Sequence, residues 1–281
     1  MPELPEVETI AVGVNERIRG SRIASVWTGS KIEPFKTPAA EMKEKLAGKR
    51  ILGVRRVGKH IVFDLVDAGR RSREPKPEAQ WIVHLGMTGR LLVCPADAPL
   101  APHTHVTLSL GSNRELRFVD PRRFGRVAFY PIAKDRAQGF EGPGKEPLTI
   151  SLDDFVALFR GRKTPIKAAL LNQKLLHGVG NIYADESLFR AGIRPRQMAG
   201  RLSRARLERL HSSLQAVLRE AITLGGSSVS DYVDADGVRG FFQLEHRVYL
   251  RGGQPCLVCE TPIRRILIGG RGTHYCPVCQ V

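Results

Sequence analysis

The first residues of the chain could supply both a nucleophile and a proton donor. Removal of Met1 would leave Pro2 as the first residue, with a secondary amine whose pKa should lie near the ~7.7–8.0 of an α-amino group. Such an amine can attack a carbonyl-like carbon and form an iminium intermediate. Glu3 and Glu6 follow closely and could move protons. For an arbitrary protein, a frayed polar terminus would be the better interpretation of this segment.

Four cysteines near the end of the chain have the spacing of a metal site. Cys256, Cys259, Cys276 and Cys279 form the pattern C-x2-C-x16-C-x2-C, which is typical of structural zinc sites with four thiolate ligands. Two disulfides would require an oxidising compartment. We therefore expect one structural zinc ion. Cys94 ends an apolar run and is interpreted as a packed thiol.

The charge of the chain predicts a polyanionic partner. Net charge is +16, from 44 Lys and Arg against 28 Asp and Glu, and both halves of the chain are basic. This favours a basic cleft between the halves that binds nucleic acid, although a generally basic protein is the alternative. No apolar run approaches the ~20 residues of a membrane span, and the acidic start lacks the positive region of a secretory signal. We expect a cytosolic protein without a membrane partner.

The pattern of apolar residues predicts one helix followed by short strands in the first half of the chain, and helices in the second half. Residues 5–19 have helical spacing and would anchor the terminus. Short β-like runs follow, as in a sandwich or barrel, at 51–57, 61–66, 81–85, 91–93, 105–110, 115–119 and 126–130. A charged, proline-containing stretch at 68–79 is interpreted as an exposed loop. After a linker, the chain becomes helical at 152–159, 164–171, 180–189 and 203–224. Residues 225–240, rich in Gly, Ser and Asp, are predicted to form a mobile loop.

Five motifs in order along the chain carry a resemblance to a known family. They are Pro2-Glu3-Leu4-Pro5-Glu6-Val7-Glu8, Gly58-Lys59-His60, His84-Leu85-Gly86-Met87-Thr88-Gly89, Asp120-Pro121-Arg122-Arg123-Phe124-Gly125 and Gly180-Asn181-Ile182-Tyr183-Ala184-Asp185-Glu186. With the cysteine pattern, the chain resembles the bacterial formamidopyrimidine-DNA glycosylases over essentially its whole length. These enzymes remove 8-oxoguanine and ring-opened purines from DNA.

The resemblance implies roles for the catalytic residues. Pro2 would attack C1′ of the damaged nucleotide, and the resulting iminium would allow elimination of the 3′ and then the 5′ phosphate. Glu3 would protonate the sugar-ring oxygen, Glu6 would hold the terminus or relay protons, and Lys59 would contact a phosphate beside the lesion. The family often has an aromatic residue where this chain has His60. For Glu8 we prefer simple stabilisation of the helix dipole.

The resemblance also implies the DNA contacts. Met87, Arg122 and Phe124 would refill the stack after the damaged base is flipped out; taken singly, they could be a core residue, a surface charge and a buried strand aromatic. Asn181, at a helix start, could cap that helix, bind a phosphate, or do both. The zinc would fix a loop carrying Arg271. Lys167 is a further candidate near the lesion, with a generic surface lysine as the alternative, and His103 could contact a phosphate or have a structural role. In the 225–240 loop, Ser227, Ser228 and Tyr232 would cover the extruded base.

We therefore predict an α+β protein with an N-terminal β-sandwich flanked by helices and a C-terminal helix-two-turn-helix domain with a zinc finger. Expected boundaries are 1–135 for the catalytic domain, 136–150 for a linker, 151–238 for the helical domain with a lesion-recognition loop at 225–240, and 239–281 for the finger. The predicted activity is excision of oxidised purines from duplex DNA with strand cleavage, by a monomer in the bacterial cytoplasm, associated with the nucleoid. An endonuclease VIII-like enzyme for oxidised pyrimidines and a non-catalytic zinc-finger DNA-binding protein are the alternatives.

Overall fold

The computed structural model describes residues 1–69, 73, 75–111, 113–132, 139–228 and 234–281. The chain divides into two compact units. Unit 1 combines Met1–Glu141 with Ser227–Gly240, and unit 2 combines Gly142–Gly226 with Phe241–Val281. The segment predicted as a recognition loop therefore groups with the N-terminal unit, whereas the sequence placed it in the helical domain. The predicted linear boundaries stay a prediction.

Unit 1 is built on two antiparallel sheets of four strands each. The first sheet has the order β1-β6-β7-β5 and the second β2-β3-β4-β8. The strands are β1 (Ile23–Thr28), β2 (Lys49–Val57), β3 (His60–Asp67), β4 (Ala79–His84), β5 (Arg90–Pro95), β6 (Thr104–Leu110), β7 (Arg114–Val119) and β8 (Arg126–Pro131). Both sheets contribute to one apolar core that includes Phe63, Trp81, Leu108 and Phe118. The predicted β-sandwich is confirmed.

Helix α1 (Leu4–Ile18) anchors the start of the chain in that core. Val7, Ile10 and Val14 recur at helical spacing and are fully buried or nearly so, and burying each contributes about 1.5–3 kcal/mol. A second helix, α2 (Ala39–Leu46), also belongs to unit 1. The sequence analysis missed α2 and β1. Only Met42 and Leu46 of α2 are buried, so its apolar pattern is weak.

Unit 2 carries four α-helices and a cysteine module, which we define as residues 256–279. The helices are α3 (Leu152–Phe159), α4 (Ile166–Leu170), α5 (Asn181–Arg190) and α6 (Arg204–Thr223), and each lies within a predicted helical segment, except that α5 ends one residue beyond its segment. The module contains the hairpin of β9 (Arg264–Ile268) and β10 (Arg271–Tyr275). The sequence analysis did not predict these two short strands. Among the described residues, no helix has the length and apolar character that crossing a membrane requires.

Candidate active site and DNA-binding surfaces

The predicted nucleophile lies in a buried segment. Pro2 is buried, and Glu3 and Glu6 are 5% and 2% exposed. Because Leu4 begins α1 and packs into the core, the terminus has a fixed position. The alternative interpretation, a frayed polar end, is therefore wrong.

The Glu6 carboxylate joins the terminus to the predicted recognition loop. Its Oε2 accepts a hydrogen bond from the backbone N–H of Glu3 at 2.8 Å. Its Oε1 accepts one from the N–H of Ser227 at 2.7 Å. Both contacts lie inside unit 1 and away from solvent. Glu8, by contrast, pairs with Arg56, its Oε2 lying 2.5 Å from Nε of the arginine.

The far end of the recognition loop is also held on unit 1. Ala235 is part of the core, and its carbonyl accepts a hydrogen bond from Val93 N. Asp236 pairs with Arg17 of α1, with Nε to Oδ1 at 3.0 Å. Tyr232, together with residues 229–231 and 233, lies outside the described residues.

Lys59 lies at the tip of the β2–β3 hairpin. Val57 pairs with His60, which leaves a two-residue turn of Gly58 and Lys59. Gly58 has φ of +60°, the backbone conformation that favours glycine at the first position of such a turn. Lys59 is half-buried at this end of the sheet.

Two histidines and an aromatic ring surround this turn. His60 pairs across the strands with His84, with ring centroids 5.0 Å apart, and the Phe140 ring lies 5.0 Å from that of His60. Burial, followed by the positive charges of His60, Lys59 and Arg126, lowers the pKa of His84 to about 4. The neutral ring accepts a hydrogen bond at Nδ1 from Gly86 N at 3.2 Å. His84 therefore supports the turn that carries Met87.

The three residues predicted to refill the base stack are all exposed. Met87 is 40% and Phe124 49% exposed, so the alternatives of a core methionine and a buried aromatic are wrong. Arg122 is exposed, and its guanidinium carbon lies 4.8 Å from the centroid of the Phe124 ring. A cation over an aromatic face at this distance is attractive. Arg122 and Phe124 thus form a stacked pair.

The sequence analysis quoted Asp120 only as part of a motif and gave it no role. Asp120 is fully buried and accepts hydrogen bonds from both loops that carry the exposed trio. The signal available in the sequence was an aspartate directly after a β-strand and before Pro121, at the start of a turn. His103 is exposed with φ of +64°, and its carbonyl accepts a hydrogen bond from Asp120 N.

In unit 2, Lys167 is inaccessible to solvent. Its side chain is 0% exposed, and its Nζ lies 2.7 Å from Asp185 Oδ1, whose side chain is also fully buried. Lys167 Nζ also donates to the Gly272 carbonyl at 3.0 Å. Direct contact with DNA would require this buried pair to open. Lys167 is therefore placed to hold the residue that follows Arg271.

Asn181 contacts the same carbonyl. Its Nδ2 donates to Gly272 O at 3.0 Å. The expectation that Asn181 caps α5 is wrong, because Gly180 occupies the N-cap and Asn181 is the first helical residue. The side chain is thus free to turn toward the hairpin, where it lies beside Lys167 and the chain next to Arg271.

Arg271 begins strand β10 and is exposed. The turn before it consists of Gly269 and Gly270, with φ of +55° and +73°. A two-residue hairpin turn with both φ values positive favours glycine at each position. The hairpin is fixed on α5 because Asp185 Oδ2 accepts a hydrogen bond from His274 N at 2.9 Å.

Glu186 attaches the chain that enters the cysteine module. Its fully buried carboxylate accepts hydrogen bonds from the backbone N–H groups of Arg247, Val248 and Tyr249, at 2.8–3.0 Å. Burial raises the pKa of this carboxyl, and the three N–H groups oppose that rise. Two consecutive carboxylates of α5 therefore hold separate segments: Asp185 holds the β9–β10 hairpin, and Glu186 holds the chain that leads into the cysteine module.

The four predicted zinc ligands converge. The Sγ atoms of Cys256, Cys259, Cys276 and Cys279 all lie within 4.8 Å of one another, with 3.9 Å between Cys256 and Cys279. Four thiolates at the usual Zn–S distance of about 2.3 Å around a tetrahedral ion would be about 3.8 Å apart. Hydrogen bonds from Thr261 lower the pKa of the Cys259 thiol to about 6, whereas burial raises the pKa of the Cys276 and Cys279 thiols. The residues fit one structural zinc ion.

Comparison with known proteins assigns a family to three successive parts of the chain. Three family models match in order: the formamidopyrimidine-DNA glycosylase N-terminal domain at residues 1–127, the H2TH domain of the same enzyme at 143–233, and the zinc finger found in FPG and IleRS at 253–281. The H2TH match agrees with the predicted helix-two-turn-helix domain.

Whole-length relatives agree with the domain matches. Formamidopyrimidine-DNA glycosylases of Solibacter usitatus and Cupriavidus pinatubonensis are each 44% identical, with all of this chain covered and 99% and 100% of the relative. The Lactococcus lactis Fpg in complex with abasic-site DNA superposes with a TM-score of 0.86 at 34% identity, covering 99% of both chains. A complex of a mutant of that protein with Fapy-dG-containing DNA has the same TM-score, identity and coverage. The chain therefore belongs to the formamidopyrimidine-DNA glycosylase family and is a base-excision DNA glycosylase with a zinc finger.

Proposed function

We propose that this glycosylase removes oxidised purines through the amine of Pro2 and cleaves the strand afterwards. The observation that carries the proposal is the buried, fixed terminus, where one carboxylate binds both the Glu3 amide and the Ser227 amide. Removal of Met1, which is 50% exposed, converts the Pro2 nitrogen from an amide into a secondary amine. The family assignment supports oxidised purines in duplex DNA as the substrate.

In the proposed reaction, the glycosidic bond breaks as the Pro2 nitrogen bonds to C1′, and the proton that this nitrogen loses balances the proton that the departing base takes up. Glu3 protonates the sugar-ring oxygen, so that the ring opens and the iminium forms. The iminium acidifies the C2′ proton, whose loss expels the 3′ phosphate; loss of the C4′ proton then expels the 5′ phosphate. Glu6 positions Glu3 and the Ser227 segment through the two hydrogen bonds. Nucleophilic catalysis of this kind divides one difficult step into easier ones.

Charged and apolar side chains would hold the DNA. Lys59 of unit 1 and Arg271 and Asn181 of unit 2 are proposed phosphate contacts, with His103 as a further contact. Met87, Arg122 and Phe124 are proposed to fill the space left by the extruded base. Their exposure and the stacked Arg122–Phe124 pair support this role. Lys167 is proposed to act indirectly, by holding Gly272 next to Arg271. Because the substrate is genomic DNA, we place the enzyme in the bacterial cytoplasm with the nucleoid.

The proposal is tested by borohydride trapping on a duplex with 8-oxoguanine opposite cytosine. Native protein should give a covalent complex. Pro2→Gln, whose larger second residue favours retention of Met1, should give none, because its amine is displaced by one residue. Mass spectrometry establishes the state of Met1 in each protein. Glu3→Gln should be strongly impaired, whereas Glu8→Gln, on the same helix but paired with Arg56, should trap normally.

The rival specificity is settled with a second substrate. The Lactococcus lactis Fpg has also been described in complex with DNA containing an oxidised pyrimidine, so binding alone does not distinguish the classes. Trapping that is efficient on an oxidised-pyrimidine duplex and absent on 8-oxoguanine would favour the endonuclease VIII-like alternative. Trapping on no substrate, including an abasic site, with Met1 removed, would leave a DNA-binding protein.

A further inference from the structure

The exposed trio of unit 1 is carried by two loops that lie in direct backbone contact. We define the Met87 loop as residues 85–89 and the Arg122 loop as residues 120–125. Gly86 has φ of +65°, and a Cβ built there would lie 2.5 Å from Gly125 N and from Phe124 C. Close approach of the two backbones therefore requires glycine at position 86. The same two loops carry the exposed side chains of Met87, Arg122 and Phe124.

A single buried carboxylate connects the two loops. Asp120 is 0% exposed, and its Oδ1 accepts a hydrogen bond from Thr88 Oγ1 at 2.5 Å. The same oxygen lies 3.3 Å from Arg122 N, while Oδ2 accepts from Gly125 N at 2.7 Å. The Asp120 carbonyl lies 2.9 Å from Nε2 of the buried His105. In the described part of the chain, no Lys, Arg or His forms an ion pair with Asp120, and the partners of its carboxylate are N–H and O–H groups.

We propose that Asp120, with Thr88, is the positioning pair for the residues that replace the flipped base; this inference rests on the proposed role of Met87, Arg122 and Phe124. Displacing a base from the stack costs free energy, and a flexible wedge would lose further conformational entropy when it enters. The pair fixes both loops before DNA binds, so that less entropy is lost on insertion. Thr88 points inward and is 8% exposed, while its neighbour Met87 is 40% exposed.

The acceptor pattern requires a carboxylate at this position. Both oxygens of Asp120 accept from donors on opposite sides: Thr88 and Arg122 on one, Gly125 on the other. An asparagine has one acceptor oxygen and one donor NH2 group. It would therefore place a donor against at least one of these N–H or O–H groups. Asn is close to Asp in size, so Asp120→Asn changes the hydrogen bonding and removes the acidic group while keeping the shape of the side chain.

The test separates base displacement from bond-breaking chemistry. Fluorescence of 2-aminopurine beside the lesion reports unstacking, and excision from an 8-oxoguanine:cytosine duplex reports the complete reaction. Cleavage of a single-stranded abasic oligonucleotide needs no wedge. We expect Asp120→Asn to reduce the fluorescence change and to slow duplex excision at least 10-fold, while single-stranded cleavage stays within 2-fold of native. Asp97→Asn, at an exposed aspartate of the same unit, should match native in all three measurements.

Further variants distinguish the possible failures. Thr88→Val keeps the side-chain shape and the carboxylate, so it remains informative if Asp120→Asn does not fold; we expect it to slow duplex excision at least 3-fold with single-stranded cleavage unchanged. Equal losses in duplex and single-stranded reactions for both variants would overturn the positioning role, as would native fluorescence in both. If Met87→Ala and Phe124→Ala also leave the fluorescence change intact, the wedge role itself fails. If Met87→Ala and Phe124→Ala abolish the fluorescence change while Asp120→Asn and Thr88→Val leave it intact, only the positioning inference fails.

Discussion

Glu6 Oε1 accepts a hydrogen bond from the backbone N–H of Ser227 across 221 positions of sequence. Since Oε2 of the same carboxylate binds the N–H of Glu3, one buried side chain fixes the spacing between the N-terminal segment and the start of the predicted recognition loop. An acid relay at Glu6 would need a proton to be exchanged there, whereas both oxygens of the carboxylate accept hydrogen bonds. We therefore propose positioning, rather than proton transfer, as the role of Glu6.

Glu6→Gln should therefore impair recognition of the damaged base more than chemistry on an abasic site. The amide keeps one acceptor and places a donor against one of the two N–H groups. A hydrogen bond to a charged group contributes about 1.5–3 kcal/mol, so kcat/KM for 8-oxoguanine excision should fall roughly 10- to 100-fold. Abasic-site cleavage should fall less. Glu8→Gln is the matched control, and an equal loss on both substrates would contradict the assignment.

The Lys167–Asp185 pair should contribute to stability through its burial. Lys167→Met leaves a buried carboxylate without its cation, which costs about 3–5 kcal/mol in comparable sites. The double variant Lys167→Met, Asp185→Leu removes both charges, but it also removes the acceptor for His274 N, so it should recover only part of the loss. Urea unfolding measures the free energies. A single variant as stable as native would show that Lys167 is not required for the fold and would reopen a direct contact with DNA.

Arg271 should contribute one phosphate contact to the salt dependence of binding. Neutralising one phosphate changes the slope of log K against log salt concentration by about 0.9. Arg271→Gln should therefore weaken binding to lesion and lesion-free duplexes alike and reduce the slope by about that amount. Arg265→Gln, an exposed arginine on strand β9 of the same hairpin, is the control. Equal changes in the two variants would indicate a general charge effect.

Zinc removal should release Arg271 while leaving the catalytic unit folded. The ligands lie only in the last part of unit 2, and metal binding by such a site contributes directly to local folding. A chelator should therefore abolish tight duplex binding, with borohydride trapping on a single-stranded abasic oligonucleotide largely retained. Loss of trapping together with the β-sheet signal in circular dichroism would show that zinc supports the whole chain.

Two buried histidines predict that stability falls in mild acid. Burial is the main cause that lowers the pKa of His84 and of His246 to about 4, from about 6.5 in the unfolded chain. Between those values the unfolded state binds more protons, so the free energy of unfolding decreases as pH falls from about 6.5 toward 4. Each histidine should contribute about 1–2 kcal/mol of this loss. Chemical unfolding at pH 7 and pH 5 measures this loss of stability. His246 lies between the rings of Phe242 and Tyr249, and His246→Phe should reduce the dependence of stability on pH. An unchanged dependence would refute the assignment.

The sequence by itself determined the elements whose signals are local. The spacing of apolar residues predicted α1 and the helices of unit 2, and short β-like runs predicted seven of the eight sandwich strands. The spacing of Cys256, Cys259, Cys276 and Cys279 predicted the zinc site. The motifs gave the family. These features depend on neighbouring residues or on side-chain type, so they can be seen without coordinates.

The tertiary structure alone decided which residues meet. Lys167 could be a surface lysine in sequence, and only the folded chain buries it against Asp185 and Gly272. Asp120 had the pattern of an ordinary turn, and its contact with Thr88, 32 positions away, depends on how two loops of different strands pack. The Ser227 segment belongs with Glu6 of the first helix for the same reason. Local periodicity carries no information about such contacts, since they form between segments that only the packing of the core brings together.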